Sequence, residues 1–359
     1  MGELLYKDDF DEARGRLTAW WNGEDIGRPA MMIYAPRETP VEDVPEIPKP
    51  EGWLTDYSTS NFEYRVNLAL QACIKTHYLA EAVPYVSPDL APNCLALYLG
   101  CKGVEQPGTV WCEACIDDPE TASFRFDPGN FYWDFTLRLG REQLRLGKDK
   151  FVIQFPDLIE GLDTLAAMRD TEALLVDLIE RPRWVHDSLE HITHRYFDYY
   201  DALYDLFKDE TGGSYFWAWA PGRMSKLQCD FSAMISPEMF GEFMVPVLRE
   251  MTKHLDYCMY HWDGPGAISH HDHLLSIPDL TMIQWTPGAG VEPVAHKRWW
   301  PLYHKTIEAG KRVVLLGFEG IANLRALKTE FGPKLRQFMI SIGAESLKQA
   351  EDILGLASQ

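Results

Sequence analysis

The segment YHWDGPGAISHHDHLL, residues 260–275, carries four of the chain's eleven histidines and two of its aspartates. Imidazoles and carboxylates together can hold a divalent metal or pass protons as a general acid and base. Two groups compete for that role. His261 and Asp263 stand two apart, and residues i and i+2 of a β-strand share one face. On a strand over 257–263 they would converge on one point, with Trp262 turned the other way. His270, His271, Asp272 and His273 fall in the next predicted helix, where such spacings fan around the axis. Leu274 and Leu275 mark that helix's buried side, so its histidines are read as packing or solvated groups. The chemistry is therefore assigned to His261 and Asp263. Glu319, at the end of a later strand in GFEG, is the natural third ligand of a zinc site that keeps one position open. The same pair would also serve as a metal-free acid and base, or as a satisfied polar pair at a rim.

Other groups gain meaning from where strands end. Tyr34 and Arg37 follow the first strand, Asp89 the second, Trp219 and Arg223 the fourth, and Trp285 the sixth. Asp230 lies in LQCDFSAMISP just before a well-marked helix and is a further acid. Arg37 or Arg223 would grip a substrate carboxylate through a bidentate guanidinium. Tyr215, Trp217 and Trp219 alternate, which on a strand makes one aromatic face, either core or a stacking wall for a ligand. Cys112 and Cys115 form a lone CxxC inside a β-like run. No second ligand pair at structural-zinc spacing accompanies it, and it does not open a helix as a redox CxxC does.

The elements that must position these groups alternate along the chain. Strands are predicted over 29–34, 83–87, 151–155, 214–220, 257–263, 280–285 and 312–316. Helices are predicted over 61–80, 131–146, 161–168, 171–180, 182–208, 267–276, 297–309 and 321–329, and from 333 onward. β-like pieces at 109–116 and 122–126 form an insertion after the second strand. One helix is especially well signed: Ser236 as N-cap, Pro237 at its first position, Glu238 facing the dipole. Its apolar residues Phe240, Phe243, Met244, Val247, Leu248 and Met251 make one stripe. Pro246 falls inside it and should kink it. Repeated strand–loop–helix units with short loops predict an α/β fold with a parallel sheet. About eight such units favour a (β/α)8 TIM-type barrel, here one domain over 1–359 with an N-terminal helical extension. A doubly wound open sheet is the alternative, weakened by the lack of a GxGxxG turn. In such a barrel the active site lies at the C-terminal ends of the strands.

Composition narrows the partners. The chain has 359 residues, 46% hydrophobic, with a formal net charge of −20. That field repels polyanions, and no basic stripe offsets it, so nucleic acid is not an expected partner. No apolar run is long enough for a membrane span. The N-terminus has no signal-peptide core. Seven scattered cysteines read as reduced thiols of a cytoplasmic protein rather than a disulfide framework.

The stretches LQCDFSAMISPEMFGEFMVPVL and YHWDGPG, with the order GRPAMMI…VSPDL…HWDG…GFEG, resemble the uroporphyrinogen decarboxylase superfamily. The resemblance runs from about Gly27 to the C-terminus and implies the same barrel. That superfamily includes heme-pathway decarboxylases and cobalamin-dependent methyltransferases, and often forms homodimers. Asp89, in SPDL, looks like the decarboxylases' pyrrole-binding aspartate. Their arginine-rich stretch after the first strand is reduced here to YAPRE, with Arg37 alone, which argues against uroporphyrinogen as substrate. The thiol-directed methyltransferases bind zinc through a His-x-Cys motif and a later cysteine. His261 matches that histidine, Asp263 replaces the first cysteine, and Glu319 lies near the second. Losing both thiolates makes a harder site, better suited to an oxygen-bearing substrate than to a thiol. The resemblance thus implies a zinc-dependent methyltransferase acting on a small methylated substrate, with cobalamin supplied by a partner corrinoid protein. Two other readings stand beside it. One is a decarboxylase or lyase of a small acid, using Asp89, Asp230, His261 and Asp263 as acid–base groups with an arginine clamp. The other is a catalytically silent binding protein.

Overall fold

The computed structural model describes residues 3–359. Thirteen strands are assigned: β1 Ala30–Pro36, β2 Thr76–Ala80, β3 Tyr85–Val86, β4 Lys102–Gln106, β5 Thr109–Glu113, β6 Val152–Ile153, β7 Ser214–Phe216, β8 Ala218–Ala220, β9 Met224–Gln228, β10 Tyr257–Asp263, β11 Met282–Thr286, β12 Arg312–Phe318 and β13 Phe338–Gly343. The fold is mixed α/β around a seven-stranded sheet in the order β2-β1-β13-β12-β11-β10-β9. All its neighbours run parallel except the antiparallel β1–β2 pair. The other strand segments make shorter pairings: β3 with β6, the β4–β5 and β7–β8 hairpins, and a single Gln154–Tyr215 bridge. Among the described residues no helix is long and apolar enough to cross a membrane.

The parallel strands are buried on both faces, so they read as apolar runs rather than alternating ones. RVVLLGF and FMISIG are examples, and Leu315, Phe338, Met339 and Ile340 are fully enclosed. Helices cover the outer face. Pro182–Phe207 places Val185, Leu189, Ile192, Tyr196, Tyr199, Leu203 and Phe207 inward, the three-to-four spacing of one buried stripe. Outside β10 and β11, Trp262, Trp285 and Trp299 pack in series with ring centroids 4.8 and 5.0 Å apart. The expected N-terminal helix, Phe10–Trp21, closes the end where the parallel strands begin. Its Trp21 Nε1 donates to the Trp219 carbonyl at 2.8 Å. Glu81, wholly buried, pins β1: it accepts from both terminal nitrogens of Arg28, at 2.6 and 2.8 Å, and from the Met31 amide.

Several local expectations are corrected. The helix expected over 61–80 ends at Ile74, and β2 follows; packing against β1 overrides helical propensity there. Residues 214–220 form a sharp hairpin, not one strand, with Trp217 at its tip at φ +59°. Residues 122–126 form no strand, and β13 precedes the C-terminal helix Leu347–Ser358. Ser236 caps its helix, its Oγ accepting from the Met239 amide at 3.3 Å. Instead of an abrupt break, a π-helical turn, Phe240–Met244, stands just ahead of Pro246. Such a turn takes up the hydrogen bond that a proline cannot make.

Candidate metal centre

Three adjacent strands set the site. In the parallel register His261 on β10 pairs with Gln228 on β9 and with Gln284 on β11. Side chains level with one another across parallel strands share a face, so these three form one polar row.

The row fixes the imidazole. The Gln284 amide nitrogen donates to the Trp285 carbonyl at 2.9 Å and to Thr286 Oγ1 at 2.8 Å. Its Oε1 therefore faces His261 and accepts from Nδ1. With the proton held on Nδ1, the Nε2 lone pair is left free, 4.0 Å from Asp263 Oδ2. Burial lowers the His261 pKa, and the nearby Lys226 cation lowers it further, which favours the neutral ring. Asp263 ends β10, and Gly264 turns the chain immediately at φ +77°, a conformation that glycine adopts without strain. Asp263 Oδ1 is buried and has no hydrogen-bond partner.

Asp230 completes the group. It opens the short 3-10 turn Asp230–Met234 that follows β9. Asp163 anchors that turn: its two oxygens accept the Asp230 and Phe231 amides, each at 2.8 Å. Gln228 Nε2 reaches both Asp163 and Asp230, at 3.1 and 3.2 Å. Ligand atoms of Asp230, His261 and Asp263 all lie within 4.8 Å of one another. Desolvation in the cleft, followed by the Asp163 charge, raises the Asp230 pKa to about 7.

Behind this group lies a second cluster. Lys226, two residues before Gln228 on the same face of β9, is fully enclosed. Its Nζ is 2.7 Å from Asp157 Oδ1 and also contacts Gln228 Oε1. The Asp157 amide donates to Asp89 Oδ1 at 3.0 Å. Burial and the Asp157 charge raise the Asp89 pKa to about 6. Glu160 is wholly buried, accepts the Gln228 amide at 2.8 Å, and is pushed far toward its neutral form by that burial. Trp217, at its hairpin tip, sets its ring edge-on to His261 with centroids 5.4 Å apart.

A cavity of about 530 Å³ adjoins Asp230, lined by Asp163, Gln228, Ile159, Phe231 and the hairpin residues Trp111 and Cys112. A more apolar cavity of about 480 Å³ lies near the starts of β6 and β7, with Phe10, Phe207 and Trp219 in its wall. Of the ligand group found among the described residues, Asp230 lines the first cavity and none lines the second.

The expected site residues are thus redistributed. His261, Asp263 and Asp230 come together, and Asp89 lies behind them through Asp157. Glu319 does not join: it is exposed, outside the ligand group. A register shift between Leu315 and Phe318, with Gly317 at φ +62°, interrupts the alternation of β12 just before it. Arg223 precedes β9 and pairs with Asp201 over the Tyr204 ring, at the opposite end from the acids. Trp219 donates to Asp209 at 2.8 Å in that same region. Trp285 packs outside the sheet on Trp262. Tyr34 is half-buried beside Tyr78 and Tyr215. Arg37 donates to the Thr76 carbonyl at 2.9 Å on the β1–β2 edge. His270 and His271 are packing groups as expected, bonded to the Ser232 carbonyl and Thr306 and set against Phe240 and Trp262.

Lys226, Gln228 and Gln284 escaped the sequence reading. Their signal was present, as single polar residues at alternate positions in MSKLQ and MIQWT, but β9 itself was not predicted. No protein-family model matches the chain, and no curated protein matches it.

Proposed function

We propose that this chain is a divalent-metal-dependent enzyme acting on a small molecule, with Asp230, His261 and Asp263 as the metal ligands. The observation that carries the reading is their convergence, with Asp263 Oδ1 left unpartnered, the His261 Nε2 lone pair free and Asp230 on the wall of a cavity. One imidazole and two carboxylates suit zinc or a harder divalent ion. Such an ion would supply Lewis acidity to a substrate oxygen. The chain's own residues do the rest. Gln284 aims the imidazole, Asp163 holds the Asp230 turn, Lys226 offsets the carboxylate charge, and Trp217 walls one side.

Within that frame we infer methyl transfer from a small methylated substrate, with cobalamin carried by a partner corrinoid protein. The support is the resemblance of the β9–β10 region to the uroporphyrinogen decarboxylase superfamily. In the same reading the β3–β6 and β7–β9 segments complete a barrel-like wall, and the seven free thiols suit a reducing, cytoplasmic setting. Elemental analysis of purified protein and of His261→Ala tests the site. About one zinc or similar ion per chain, lost in the variant, is expected; full activity in metal-free protein would sink the reading.

A second reading, proton transfer in a decarboxylase or lyase, is favoured by one observation. Burial raises the Asp89 and Asp230 pKa values to about 6 and 7, where acid–base groups work best at neutral pH. Carbon dioxide release without any corrinoid separates it from methyl transfer.

A further inference from the structure

Cys112 and Cys115 have a third neighbour that the sequence does not place beside them. Cys101 immediately precedes β4, and Cys115 lies just beyond β5, so the antiparallel hairpin brings them face to face. Their Sγ atoms are 3.4 Å apart. Cys112 lies across the same hairpin, opposite Gly103, the second residue after Cys101. Cys101 is buried, Cys112 half-buried and Cys115 exposed. The base of the hairpin is held on both strands: the amides of Cys115 and Ile116 each donate to the Met168 carbonyl at 2.8 Å, and the Cys101 thiol leans on the Ala167 carbonyl at 3.6 Å.

We propose that Cys101, Cys112 and Cys115 form a peroxide-sensitive thiol site, in which Cys115 is oxidised first and Cys101 closes a disulfide onto it. Exposure selects Cys115 for attack. Hydrogen bonding from Cys101 lowers the pKa of both Cys115 and Cys112 and raises that of Cys101, which favours the reactive thiolate form on those two sulfurs, and of the two Cys115 is the exposed one. That thiolate attacks one oxygen of a hydroperoxide. The O–O bond breaks, the other oxygen leaves as an alcohol or water after taking a proton, and Cys115 becomes a sulfenic acid. The Cys101 sulfur then attacks the Cys115 sulfur and loses its proton, and water leaves with the sulfenic oxygen. Two thiols and one hydroperoxide give one disulfide, one water and one alcohol or water. A disulfide needs sulfurs about 2.05 Å apart, within reach of the observed separation by side-chain rotation. Cys112 is the alternative partner for Cys101. It also lines the cavity beside Asp230. The site stands independently of the metal reading, because no metal ligand takes part.

The test is brief hydrogen peroxide treatment of the purified full chain, alkylation of remaining thiols, and mass mapping with cleavage after Lys102 and Glu113. A Cys101–Cys115 link, with a mass loss of two hydrogens and reversal by dithiothreitol, is expected. In Cys115→Ser, which alters an exposed position, the link should move to Cys101–Cys112. In Cys101→Ser, a dimedone-reactive sulfenic acid should persist on Cys115. Oxidation of Cys73, Cys94, Cys229 or Cys258 ahead of these three would overturn the proposal. So would an oxidised Cys115 in the wild-type chain with no bond to Cys101.

Discussion

Gln284 stands level with His261 across β10 and β11, and its amide oxygen accepts the imidazole Nδ1 proton. The amide cannot flip without losing its own bonds to Trp285 and Thr286. A buried amide thus decides which imidazole nitrogen meets a ligand. Gln284→Leu should therefore weaken metal binding about 10–100-fold, the usual loss when a ligand's outer partner is removed. Gln284→Glu, which keeps the acceptor, should retain most of it. Calorimetric titration with zinc reads both; equal affinities in the leucine and wild-type chains would remove Gln284 from the site.

Asp230 and Glu319 offer a direct contrast. Asp230→Ala or His261→Ala should abolish stoichiometric metal binding, whereas Glu319→Ala should leave it unchanged. Metal content after dialysis decides the matter. Loss in Glu319→Ala and His261→Ala, with Asp230→Ala unaffected, would favour the ligand set expected from sequence over the one proposed from the fold.

The pH dependence follows from Asp230. Its pKa is raised from an ordinary 3.8 to about 7, so between those values the folded chain keeps a proton that the unfolded chain has lost. Its contribution to stability is whole below about pH 4 and declines as pH climbs to 7. Asp230→Asn should consequently be more stable than the metal-free wild type at pH 8, by about 1–2 kcal/mol once screening of this exposed carboxylate is counted. Metal binding, which needs the proton gone, should strengthen as pH rises through 7 in the wild type. Thermal melts from pH 4 to 8, with and without zinc, would show both trends. Identical slopes in the two proteins would refute the assignment.

Lys226 is the enclosed cation among these acids. Lys226→Met leaves Asp157 without its ion partner, and breaking a buried pair costs about 3–5 kcal/mol. It also removes the positive charge that, after burial, holds the His261 pKa down. The variant should melt several degrees lower and show His261 titrating at higher pH by imidazole NMR. A lower melting point with an unmoved histidine would separate the structural effect from the electrostatic one and reject the latter.

The strand-end rule and the two-residue alternation were enough to choose His261 and Asp263 over the denser histidines at 270–273, because that choice needs only local geometry. The third ligand was beyond them. Glu319 stands at the end of a later strand, which the same rule selects, but a bulge in β12 is invisible to a hydropathy pattern. Asp230 reaches the group only because Asp163, from another helix, holds its turn. Lys226 and Gln284 were hidden for a related reason: a lone polar residue in a buried strand shows its purpose only once neighbouring strands are in register. The N-terminal helix, β5 and most of the parallel strands are legible, since each carries its own periodicity, whereas β4, the other half of the β4–β5 hairpin, is not. The tight reversal at Trp217 was not, because alternating aromatics look the same on a strand and on a hairpin.

The uneven stitching of the sheet has a mechanical consequence. The ligand-bearing side is continuous from β9 through β13 to β1, so separations among Gln228, His261 and Gln284 are braced by full ladders. The opposite side is tacked together by the two-residue β3–β6 pairing and one bridge. Ladder hydrogen bonds are therefore dense around Gln228, His261 and Gln284 and sparse across β3 and β6, so the spacing of the polar row is the better braced of the two, like callipers with one fixed jaw.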